Sequence, residues 1–86
     1  MDEPVYQEWR FEDIPSSHGN GIAYHVFFGT VNWTKIAGDE RTAFVVLMKY
    51  DGKLAYGLPA HIIEDDAPAV FAAVERLRAW RAANSA

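Results

Sequence analysis

Cysteine is absent from the 86 residues, which excludes disulfides, thiolate metal ligands and cysteine nucleophiles together. Long apolar runs are missing too. The longest strongly apolar one, AFVVLM at residues 43–48, has six residues, far short of the roughly 20 that a membrane-spanning helix needs. The amino terminus, MDEPVYQE, is acidic where a secretory signal is basic, and no apolar core follows it. These absences predict a soluble, cytoplasmic protein with no membrane partner. Positive charge is scarce as well: residues 1–70 hold eleven acids against five Lys or Arg, a balance of −6. Residues 71–86 hold Glu75 with Arg76, Arg78 and Arg81, a balance of +2, which gives the net charge of −4. Base-stacking sheets rely on a cationic groove, so nucleic acid is not an expected partner. A nucleic-acid mimic would in turn carry far more acid.

What the chain does have is apolar and aromatic content: half its residues are apolar and twelve are Phe, Tyr or Trp. That is a globular composition, and the length suits one domain over residues 1–86. Val70, Phe71, Val74 and Leu77 fall at i, i+1, i+4 and i+7, one stripe of a helix expected at about 67–83. Pro68 suits its first turn, and Asp65 or Asp66 is expected to cap it. The arginines of this helix lie mostly off the stripe, near the carboxyl end that favours cations.

Ahead of the helix, TAFVVLMKY-DG-KLAYG reads as a β-hairpin, because Asp-Gly suits the two positive φ angles of a type I′ turn. Strands are expected at about 5–11, 21–31, 42–50 and 53–63, the last interrupted by Pro59. PSSHGNG and TKIAGDER are loops. Along the first strand, Val5, Trp9 and Phe11 are expected on one face and Tyr6, Glu8 and Arg10 on the other. The resulting fold class is α+β: a four-stranded antiparallel sheet with one carboxyl-terminal helix packed across one face.

Two strands are apolar on both faces. Tyr24, Val26 and Phe28 alternate with Phe27 and Val31, and Phe44, Val46 and Met48 with Ala43, Val45 and Leu47. One helix covers only one face of a sheet, so the other would place Phe, Val and Leu in water. The amino-terminal segment with Tyr6 and Trp9 is one candidate cover, and a second copy of the chain is the expected one. A homodimer is therefore expected.

Chemical motifs are few. In AHIIEDDAP, residues 60–68, His61 precedes three carboxylates. A strand sends His61 and Glu64 to opposite faces, and the helix begins too late to align them. His18 and His25 lie in a distant loop and strand, so no metal site and no cofactor is expected. Ser16 and Ser17 precede His18 without a G-x-S-x-G elbow, and HGNG lacks the spacing of a dinucleotide loop. No catalytic residue is assigned. Phe44 and Phe71 are expected in the core. The amphipathic aromatics Tyr24, Trp33, Tyr50, Tyr56 and Trp80, with His61, are the candidate ligand- or partner-binding residues, Trp33 and Trp80 as the exposed anchors.

Three functional expectations follow. The first is a non-enzymatic interaction module, homodimeric and binding a protein partner. The second is a small-molecule binder with an aromatic, acid-lined pocket between sheet and helix, suited to apolar or cationic ligands. The third is a small enzyme in which His25 or His61 meets an acid in a cleft.

Overall fold

The Asp-Gly pair makes the tightest corner of the fold. In the computed structural model, which describes residues 4–84, Asp51 and Gly52 take φ angles of 50° and 84°. This is the pair of positive angles that a type I′ turn requires. Strand β3 (Arg41–Tyr50) enters the turn and β4 (Lys53–Leu54) leaves it, with Tyr50 opposite Lys53. Upstream, β1 (Val5–Pro15) and β2 (Ile22–Asn32) pair antiparallel, and β2 pairs with β3. The four strands form one curled antiparallel sheet in the order β1-β2-β3-β4. The acidic terminus, Asp2 and Glu3, lies outside the described residues.

Chain 64–66 forms one 3₁₀ turn that runs directly into helix α1 (Ala67–Asn84). The helix lays Val70, Ala73 and Leu77 on Tyr24, Val26 and Phe28 of β2 and Met48 of β3. Each large apolar side chain so buried contributes about 1.5–3 kcal/mol. No helix among the described residues is long and apolar enough to cross a membrane.

Several local expectations are corrected. The fourth strand is two residues long instead of running to residue 63: after Ala55 donates to the Met48 carbonyl, Gly57 (φ 77°) turns the chain away and Pro59 has no N–H for a ladder. The first strand instead runs on to Pro15. Phe71 is 60% exposed and Phe44 also reaches solvent. On the helix it is Ala73, three residues after Val70, that meets the sheet, because a small side chain permits close approach. Asp65 and Asp66 do not cap the helix. Ile63 is the cap of the 3₁₀ turn that leads into α1, without a side-chain bond, and its carbonyl accepts from the Asp66 and Ala67 N–H groups, while the Asp66 carboxylate bonds Ser17 and Tyr24.

The second face of the sheet is not left in water. Phe27, Val31 and Leu47 are buried within the single chain. Tyr6 sets its ring edge-on to Phe27, with centroids 5.6 Å apart, and Tyr56 stacks on Tyr6 at 5.8 Å. The curl thus brings the first strand and the segment after β4 over the same surface. The exposed face that called for a dimer is covered by the chain's own aromatics.

Candidate functional site

A β-bulge decides where the charged side chains of β1 go. Glu8 pairs with Gly29 but Arg10 pairs with Phe28, so Trp9 is the extra residue. Gly29 permits this because its missing side chain leaves room for the bulged backbone: a Cβ there would stand 1.9 Å from the Gln7 carbonyl oxygen. On a regular strand Glu8 and Asp13, five residues apart, point to opposite faces. The bulge shifts that parity, so Phe11 and Arg10 exchange the faces expected of them, while Val5 and Trp9 still lie opposite Tyr6 and Glu8. Glu8, Phe11 and Asp13 share the face of His25, while Arg10, Glu12 and Ile14 share the helix face.

His25 is 4% exposed and lies between two carboxylates. Its Nδ1 is 2.6 Å from Asp13 Oδ1 and its Nε2 is 2.5 Å from Glu8 Oε1. A neutral imidazole offers one N–H and one lone pair, so meeting two carboxylates takes one further proton, on the ring or on a carboxyl group. Lys49 Nζ donates to Asp13 Oδ2 at 2.9 Å. Burial pushes the Asp13 carboxyl up, but the bonds and charges of Lys49 and His25 outweigh it and hold the group below its usual range. Phe11 and Phe27 flank the imidazole at 4.9 and 5.7 Å. Both ring nitrogens are occupied, which leaves no lone pair for a substrate or a metal ion.

Asp66 organises a second cluster. Its Oδ2 accepts from the Tyr24 hydroxyl at 2.6 Å and from the Ser17 N–H and hydroxyl at 3.0 Å each. The Tyr24 hydroxyl in turn accepts from the Ile63 N–H at 3.1 Å. The Tyr24 bond, then those from Ser17, hold Asp66 below the ordinary carboxyl range. Ser16 bonds His18 Nδ1 through its hydroxyl, which also accepts the His18 N–H at 3.0 Å. Asp66 addresses the serines and not the imidazole, so the three do not form a nucleophilic triad. They tie the β1–β2 loop to the start of α1.

The third feature is the β2–β3 loop. Buried Asn32 holds it from within: its amide donates to the Ile36 carbonyl at 3.0 Å and its oxygen accepts from the Lys35 N–H at 2.8 Å. Thr34 donates to Asp39 at 2.7 Å, and the Gly38 N–H donates to Glu40 at 2.9 Å. Lys35 accepts a positive φ of 64° to complete the turn. This bonding turns Trp33 and Ile36 outward, 65% and 63% exposed. Trp33, Thr34, Gly38, Asp39, Glu40 and Arg41 line an open groove of about 530 Å³.

The sequence-derived candidates do not converge. Tyr24 is a fully buried core residue. Tyr50 ends β3, Tyr56 lies on Tyr6, and His61 is exposed before the 3₁₀ turn. Trp80 is half-buried with the Arg10 guanidinium 5.4 Å over its ring. Of the two tryptophans expected as exposed anchors, Trp33 is exposed and Trp80 is not, while Tyr50 and Tyr56 are exposed to a lesser degree than Trp33. The arginines of α1 are engaged within the chain. Arg76 makes a bidentate pair with Glu12, whose bonds push the guanidinium up from its ordinary value. Arg81 lies over Trp9 and Phe28, and Arg78 is 3.7 Å from Glu75.

No protein-family model, curated protein or solved structure matches the chain.

What sequence reasoning missed is the pairing of Glu8 and Asp13 with His25. The signal was present as Gly29, a glycine inside an apolar strand, which marks a bulge or a close backbone approach.

Proposed function

We propose that the chain is a non-enzymatic interaction module that engages a protein partner through the β2–β3 loop and is homodimeric, not through the covered sheet face but through the open edge of β1. The observation that carries this reading is the exposure of Trp33 and Ile36 on a loop whose backbone is held by Asn32 and Thr34. A pre-ordered loop loses little conformational freedom on binding, and Trp is the side chain most enriched among interface anchors. The closed hydrogen bonding of His25 supports a structural role for the one buried histidine over a catalytic one.

The test replaces Trp33 with a photo-crosslinking phenylalanine and irradiates the native host cells. A discrete adduct, absent when the probe stands at the equally exposed Arg78, is the expected result. No adduct beyond the Arg78 control would overturn the reading.

A second reading is favoured by the groove itself. Trp33 beside Asp39 and Glu40 suits a cationic ligand, through the ring face and the carboxylates. Thermal unfolding with added tetramethylammonium or a guanidinium compound, against matched sodium salt, tests it. Equal midpoints in both salts would remove this alternative.

A further inference from the structure

We infer that the homodimer forms by antiparallel pairing of β1 with β1 of a second copy, on a two-fold axis at Phe11. The inference rests on the homodimer of the proposed function and names its interface. β1 has one neighbour, β2, and lies at the edge of the sheet. Ser16 N–H donates to the Ile22 carbonyl. By the alternation of an antiparallel ladder, Ile14 and Glu12 bond toward β2 as Ser16 does, while Phe11 and Asp13 turn their N–H and C=O groups outward.

Charge selects the register. A two-fold pairing centred on Asp13 or on Glu12 sets two carboxylates face to face, and one centred on Arg10 sets two guanidinium groups together. The bulge at Trp9 breaks the ladder there. Centred on Phe11, the pairing places Arg10 opposite Glu12 of the second copy, twice, on the helix face. Opposite charges directly across a strand pair stabilise it and like charges oppose it. Glu12 is already oriented by Arg76, so the added guanidinium extends an existing row of alternating charge. Phe11, 54% exposed at the outer edge, meets its counterpart on the other face. The ladder is short, bounded on one side by the bulge at Trp9 and on the other by Pro15, which has no N–H to offer. Both Trp33 loops remain free at the outer ends of the assembly, since Asn32 pairs with Val5 at the far end of β1.

The absence of cysteine permits a clean test. In the native chain, sedimentation over a rising concentration series should show dimer, and hydrogen exchange at the Phe11 and Asp13 amides should slow in parallel. In the Phe11→Cys variant, the paired Cα atoms stand about 5.5 Å apart, within disulfide range. Oxidation should then give a cross-linked dimer on the order of tenfold faster than in Val5→Cys, whose copies are far apart in this register, because pairing raises the local thiol concentration. A dimer without slowed exchange at Phe11 and Asp13, or with equal cross-linking at both positions, overturns this interface and leaves self-association standing. A monomer at every concentration overturns the interface and the homodimer together, while the Trp33 cross-link still tests the partner-binding reading separately.

Discussion

Gly29 lies directly across the sheet from Glu8, and the backbone of β1 closes over it so tightly that a Cβ would stand 1.9 Å from the Gln7 carbonyl oxygen. This contact is what allows the bulge, and the bulge is what delivers Glu8 to His25. Gly29→Ala should therefore destabilise the chain by about 3 kcal/mol, the upper range for overpacking at a site that cannot yield. Urea unfolding measures the loss. A stability within error of the native chain would show that β1 has room to move.

His25→Ala should cost about 3 kcal/mol, since it leaves a cavity beside Phe27 and sets Glu8 and Asp13 near each other without the imidazole between them. Glu8→Gln should cost much less, because Glu8 is a third exposed and its partner keeps Asp13. The ratio of the two unfolding free energies is the test. Equal losses would show that Glu8 does more than satisfy one nitrogen.

Stability should fall with acid in a defined window. Asp66 and Asp13 are both held below their ordinary value of 3.8 in the folded chain. Near that value the unfolded chain binds more protons, so unfolding free energy rises with pH. Their contribution is fully present above 3.8 and is lost as pH falls through their lower folded values. Asp66→Asn should flatten this acid limb. Urea midpoints taken from about pH 5 down to about pH 2 report it, and an unchanged slope in the variant would assign the limb to other carboxylates.

On α1, Leu77→Ala should cost about 2–5 kcal/mol because Leu77 is buried against the sheet. Phe71→Ser, at a position 60% exposed, should stay within about 0.5 kcal/mol. Thermal or urea unfolding of the two variants checks the contrast. A large loss at Phe71 would mean that its ring is covered in solution, by a partner or a second copy.

Tyr24→Phe removes a hydroxyl that both donates to Asp66 and accepts from Ile63 N–H. The variant should lose about 0.5–1.5 kcal/mol, the net worth of a hydrogen bond whose partners are only partly buried. Amide exchange at Ile63 should quicken with it. Unchanged exchange at Ile63 would show that water takes over the bond.

Much of the fold was legible from local pattern. The alternation in residues 22–31 and 42–50 placed two strands and both of their faces, because side chains on a strand point alternately whatever the tertiary context. Asp51–Gly52 fixed a hairpin through its positive φ angles. The spacing of Val70 and Leu77 marked the helix, yet the same stripe enlisted Phe71. Periodicity describes the width of an apolar face and not the line along which another element meets it. The candidate site was less legible. His25 was visible as a lone histidine, but its partners on β1 depend on a strand offset of one residue, and a bulge leaves no periodic trace.

The sequence by itself determined the secondary elements, their order and the hairpin corner, since each follows from steric and periodic preferences of neighbouring residues. Only the tertiary structure decided what covers the second face and what surrounds His25. Tyr6 reaches Phe27 and Tyr56 because the sheet curls. Glu8 joins Asp13 at the imidazole because the β1 backbone closes over Gly29. Both relationships join residues far apart along the chain, and their geometry exists only once the strands have paired.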